Sequence, residues 1–188
     1  MREPSPTTVY LPPFRIDIQV RPGVPLLAPR RAMARTIAAA LRLAGAPSPA
    51  AVGLTLSPDT ELASLNESHM GHSGTTDVLS FPLLPPVAFP EHPGQDPQVR
   101  RPATPFALPP GRRVHLGDIV VSVERAIEQA NEGRGGQTGD RRWSPVDELR
   151  LLITHGALHL CGWDHARPRE EAAMQALEGQ LLGMVPPT

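Results

Sequence analysis

The segment HGALHLCGWDH near the C-terminus carries His155 and His159 four residues apart and His165 six residues further on, the pattern H-x3-H-x5-H. On a helix, positions i and i+4 project from one face about one turn apart, so the first two imidazoles can chelate one cation. Gly162 then lets the chain turn, and His165 can return as a third nitrogen ligand. Three imidazoles with one open position describe a catalytic zinc site better than a closed structural one. One Zn2+ ion per chain is therefore the first expectation, although imidazole donors also suit nickel, copper and iron. A lone histidine on an apolar helix is ordinarily a hydrogen-bonded core residue, but three at this spacing, with glycine at the turn, favour a metal.

Some zinc peptidases share this spacing in HExxHxxGxxH, where a glutamate beside the first histidine is the general base. Here that place is held by Gly156, so a metalloprotease is the second reading and a different metal-dependent hydrolase the first. Cys161 is one residue off the helical repeat of the ligands and reads as core, and Trp163 reads as packing rather than as a base-stacking platform.

These ligands need a helix beneath them. Ser144 as cap, Pro145 in the first turn and the acidic pair Asp147 and Glu148 predict one that runs to Leu160 and ends near Gly162. After His165, Pro168 with Glu170 and Glu171 opens a last helix, with Met174, Leu177, Leu181 and Leu182 on one packed face. Upstream, RIDIQV alternates as a half-buried strand from Arg15 to Val20, and a helix over residues 29–43 is stopped by Gly45. A short strand at Val52–Leu56 precedes a helix with Ser57 as its cap. Thr76–Pro82 and Leu116–Ser122 read as strands, and Val123–Asn131 as a helix with a glycine-rich exit at Gly133–Gly139. Residues 83–113 are so rich in proline that an extended or disordered surface loop is expected.

At 188 residues with 40% hydrophobic content the chain can build one core, so a single domain over residues 1–188 is expected. All 18 basic residues are arginine, yet the net charge is only -1, so any polyanion must be met by a local patch. The N-terminal residues lack an apolar core and a cleavage site, and no apolar run approaches a membrane span. With Cys161 as the one cysteine, a cytoplasmic protein with no membrane partner is expected.

HGALHLCGWDH resembles the HGxLHLxGYDH signature of the YbeY endoribonucleases, and TDVLSFP and LGDIVVS match further family segments in the same order. The resemblance runs from about Arg15 to the final helix. It implies an α/β (α+β) fold: one compact domain with a small mixed sheet flanked by helices and the ligand helix near the C-terminus. It further implies hydrolysis of single-stranded RNA, in maturation of the 16S ribosomal RNA 3′ end and ribosome quality control. The partners would be ribosomal RNA precursors and ribosomal particles, with no DNA expected. One stretch departs from the family. Where relatives carry tyrosine, arginine and glycine, then a lysine before the threonine, this chain has His69, Met70 and Gly71, then His72 to Thr75. The missing arginine would ordinarily neutralise a phosphate. A ribosome assembly factor with a structural metal and weak nuclease activity is thereby kept as an alternative.

Several residues then become candidates. Asp164 would orient a histidine or cap the following helix, with proton transfer the less favoured role. His69 and His72 stand where the family's polar loop would lie and can replace the missing cation, although exposed loop histidines are the commoner case. Arg141 and Arg142 precede the ligand helix and are the first choice for contact with RNA, ahead of the pairs Arg112/Arg113 and Arg167/Arg169. Asp118 either bonds a ligand histidine or faces solvent, and Asn66 and Asp77 shape or cap the loop they flank.

Overall fold

The computed structural model describes residues 5–71, 74–95, 112–133 and 143–183. Five strands and five α-helices are found among them: β1 (Thr7–Leu11), β2 (Phe14–Val20), α1 (Arg30–Leu43), β3 (Ala50–Ser57), α2 (Asp59–Met70), β4 (Val78–Pro82), β5 (Val114–Ser122), α3 (Val123–Glu132), α4 (Pro145–Leu160) and α5 (Pro168–Leu182). The strands form one mixed sheet in the order β1-β2-β3-β5-β4. Its centre, β2-β3-β5, is parallel, and the edge strands β1 and β4 are antiparallel to their neighbours.

Burial follows from the two periodicities. On β2, Phe14, Ile16 and Ile18 are buried while Arg15 is exposed, as alternation requires. These side chains meet Ile37 and Leu41 of α1 and Leu149, Ile153 and Leu158 of α4 in one core. The opposite face of the sheet is covered by α2 through a smaller cluster of Leu62, Leu79 and Val120. Strict alternation fails once, on β5. Ala51 pairs with His115 but Val52 with Gly117, so Leu116 is an extra residue. That bulge turns Leu116 to the same core as Ile119 and Val121, where a regular strand would send it to the other face. Gly117 sits at the bulge with φ 139°, and a Cβ there would collide with the Phe81 carbonyl oxygen and lie 2.9 Å from Leu160. Only glycine fits.

The first strand is not anticipated from the sequence: β1 is a short edge strand with little buried surface, recruited by pairing with β2. Ser57 is not the cap of α2. Pro58 occupies that place with no side-chain cap, and Ser57 Oγ instead donates to Glu61 Oε2 at 2.6 Å. Residues 83–95 also depart from an extended loop, since they contain a 3-10 turn at Pro86–Ala88 and bury Phe89 and His92. Residues 96–111 of that insertion lie outside the described residues, as does most of the glycine-rich exit from α3. Among the described residues no helix is long and apolar enough to cross a membrane.

Candidate metal centre

The helix α4 is fixed at both ends by local chemistry. At its start Ser144 Oγ accepts from the Asp147 amide at 3.2 Å and Asp147 Oδ2 accepts from the Ser144 amide at 3.1 Å, a full capping box with Pro145 in the first turn. At its end Trp163 N donates to Leu158 O at 3.1 Å and Gly162 N to His159 O at 3.0 Å, with Gly162 left-handed at φ 81°. This is a Schellman turn, which reverses the chain and delivers His165 back beside the helix. One face of α4 buries Leu149, Leu152, Ile153 and Ala157, while His155 and His159 stand half-buried elsewhere on the helix surface.

The three histidines converge. A ring nitrogen from each of His155, His159 and His165 lies within 4.8 Å of the others, and the ring centroids are 4.5, 5.3 and 5.1 Å apart. Nε2 of His155 and Nε2 of His159 are 2.9 Å apart, near the separation of about 3.3 Å for two nitrogens about 2.0 Å from one tetrahedral ion. Their rear nitrogens are already committed. His155 Nδ1 donates to Glu178 Oε1 of α5 at 2.7 Å, and His159 Nδ1 to the Trp163 carbonyl at 2.9 Å. With Nδ1 donating to its acceptor, the neutral form of each ring would present its Nε2 lone pair to a cation. Burial, then the neighbouring His155 and His165, push the His159 pKa down to about 4, so its ring is neutral, the ligand form, near neutral pH. His165 is exposed, so the cluster opens to solvent on one side. The donor set and its support fit a three-nitrogen site with an accessible fourth position.

Gly156 explains why no carboxylate stands beside the first histidine. A Cβ there would lie 2.7 Å from Ile119 Cγ2, 3.1 Å from Ser80 Oγ and 3.3 Å from Val78 Cγ2. This position is the contact between α4 and the sheet, where Ser80 Oγ also donates to Gly156 O at 3.2 Å. A glutamate at 156 would point into β4 and β5, so the peptidase arrangement does not fit this packing.

The remaining candidates divide. Asp164 does not cap α5, whose cap is Arg167; its Oδ1 accepts from the His165 amide at 2.8 Å. The acceptor that orients a ligand ring from a side chain is Glu178 instead, a residue the motif does not contain. His69, in the last turn of α2, packs edge-on against Phe81 with ring centroids 5.5 Å apart. His72, Arg141 and Arg142 lie outside the described residues, and of Met70 only the backbone, at the end of α2, is described. Arg113 stacks over the Tyr10 ring at 4.8 Å. Asp118 is exposed and bonds His115 Nε2 at 3.3 Å, while Asn66 donates to Gly74 O at 3.3 Å and Asp77 accepts from Gln129 at 2.9 Å. Cys161 is buried, and burial pushes its thiol up to about 12, which leaves it an uncharged core residue. Trp163 is packed against the core, stacked on His92.

The family profile described as Endoribonuclease YbeY matches residues 24–185. A protein named Endoribonuclease YbeY from Symbiobacterium thermophilum is 40% identical over 145 residues, which is 76% of this chain and 78% of that protein. Another of the same name from Roseiflexus castenholzii is 32% identical over 169 residues, 89% of this chain and 91% of that one. The solution structure of TM1509 from Thermotoga maritima aligns with a TM-score of 0.46 and 18% identity, covering 88% of this chain and 89% of that one. With a profile spanning most of its length and relatives this similar, the chain belongs to the YbeY endoribonuclease family.

Proposed function

We propose that this protein is an endoribonuclease that cleaves single-stranded RNA at a centre where His155, His159 and His165 hold one divalent ion, zinc in the first place. The observation that carries the reading is the convergence of three ring nitrogens with two of the rings locked from behind by Glu178 and the Trp163 carbonyl. When bound there, such an ion supplies Lewis-acid polarisation of a phosphate oxygen or of a water molecule. The chain's own part is positional. Glu178 and Trp163 hold two rings by their Nδ1 hydrogen bonds, the Schellman turn presents the third, and Asp164 Oδ1 accepts from the His165 amide just beyond that turn. The exposed side of His165 gives a flexible strand room to enter, which supports a catalytic rather than a purely structural ion. Arg141 and Arg142, just before α4, are proposed to meet RNA phosphates, with His69 or His72 substituting for the cation lost at Met70.

Membership of this family supports ribosomal RNA precursors as the substrate, with cleavage near the 16S 3′ end, ribosomal particles as partners and the cytoplasm as the place of action. The test is direct. Pure zinc-loaded protein is incubated with single-stranded RNA and, separately, with casein, and both assays are repeated with His159→Ala. RNA cleavage lost in the variant and no casein cleavage is the expected result. Cleavage that survives removal of the ligand would sink the mechanism. A 2′,3′-cyclic phosphate on the product would mark the ribose hydroxyl as nucleophile rather than water.

A further inference from the structure

The opening part of the proline-rich insertion, residues 83–95, is not a free loop but a strap laid across the metal centre's supporting turn. Phe89 and His92 are buried. Close contacts pin the strap at three places. A Cβ at Gly162 would lie 3.0 Å from Pro86 Cα and 3.7 Å from Phe89, so the Schellman turn is pressed against the strap. One at Gly94 would lie 2.7 Å from the Glu170 backbone nitrogen, in the first turn of α5. One at Gly45 would lie 2.7 Å from Pro90, where the strap meets the end of α1. Prolines along it restrict the backbone in advance, which lowers the entropy lost in holding that path.

His92 makes the specific contacts. Its ring stacks on Trp163 with centroids 4.2 Å apart and planes 14° from parallel, and its Nε2 lies 3.1 Å from the Gly162 carbonyl oxygen, to which it donates. Both residues help to place the proposed ligands. The carbonyl of Trp163 accepts a hydrogen bond from His159 Nδ1, and the turn at Gly162 sets the direction in which the chain returns to His165. We propose that His92 is a positioning residue for the metal centre, clamping the Gly162–Trp163 turn so that His159 and His165 aim at one point. The inference rests on the metal reading above. It makes the insertion a buttress of the site, through a residue 63 positions before the first ligand histidine.

The experiment measures cobalt(II) binding to the full metal-free chain, since cobalt's visible absorption reports both affinity and ligand number. His92→Ala is expected to weaken binding roughly tenfold, at the lower end of the range for groups that orient ligands, and to change the absorption spectrum. His92→Phe keeps a ring for the stack and His92→Gln keeps a donor for the Gly162 carbonyl, so each is expected to recover part of the affinity. These two also carry the test if the alanine variant does not fold. Variants that lose thermal stability but bind cobalt within about twofold of the parent, with an unchanged spectrum, would reduce His92 to a packing residue and overturn the proposal alone. Parent protein that binds no cobalt, or binds it equally after His159→Ala, would overturn the metal reading and this inference together.

Discussion

Glu178→Ala tests the least obvious part of the site. The carboxylate accepts from His155 Nδ1 at 2.7 Å, with the two side chains only 27% and 12% exposed, so the bond is sheltered from water. Its loss would free the His155 ring to rotate and to carry its proton on Nε2, the nitrogen proposed to face the ion. Removing such a partner typically lowers metal affinity about 10- to 100-fold, or about 1.4 to 2.7 kcal/mol. Glu178→Gln keeps an oxygen acceptor at similar reach without the charge, so its effect should be under about tenfold. The assay is a zinc titration in competition with a chromophoric chelator, on metal-free proteins first shown to melt at similar temperatures. Alanine should be worst, glutamine intermediate, and RNA cleavage at limiting zinc should follow the same order. Affinity of Glu178→Ala within about twofold of the parent would refute the orienting role, because among the described residues Glu178 is the side chain that accepts from His155 Nδ1.

Gly156→Glu places a carboxylate where peptidases carry their base, but the position faces the sheet. The variant should melt lower by roughly 5 °C or more, from overpacking of at least about 2 kcal/mol, and still not cleave casein. Burial raises the Glu61 carboxyl, but the hydrogen bonds from Arg21 and Ser57 and the Arg21 charge override it and hold the pKa below its usual 4.5. A depressed acid stabilises the fold above its unfolded value and loses that contribution as pH falls through its native value. The melting-temperature gap between parent and Glu61→Gln should therefore be full at pH 7 and shrink below about pH 4.5; a gap that widens on acidification would reverse the argument. Asp164→Asn keeps an acceptor for the His165 amide, so RNA cleavage should fall less than about tenfold. A drop of about 100- to 10,000-fold with intact metal binding would instead identify Asp164 as a general base.

What could be read from the sequence is what local chemistry decides. The capping box at Ser144, the glycine turn at 162 and the histidine spacing each depend on residues within one or two turns, and the structure forms all three. Glu178 escaped because its partner is 23 residues away and they meet only when α5 folds back on α4. A signal was present: Glu178 follows Met174 by four residues and precedes Leu181 by three, an acid on the face of α5 otherwise filled by core residues. The bulge at Leu116 was hidden because an apolar residue suits either side of a strand, and register is a property of the pair. The strap was hidden because proline excludes helix and sheet but does not exclude close packing. The edge strand β1 depends on pairing with β2, which its own five residues do not announce.

The seating of α4 bears on how an ion would leave. Two of the proposed ligands sit on a helix packed against α1, α3, α5 and the sheet, whose amides should exchange hydrogen only in openings close to global unfolding. The third sits beyond the Schellman turn on an exposed stretch that a much smaller fluctuation can release. Dissociation would then begin by detaching His165 and pass through a two-histidine state, with the folded frame intact and ready to capture again.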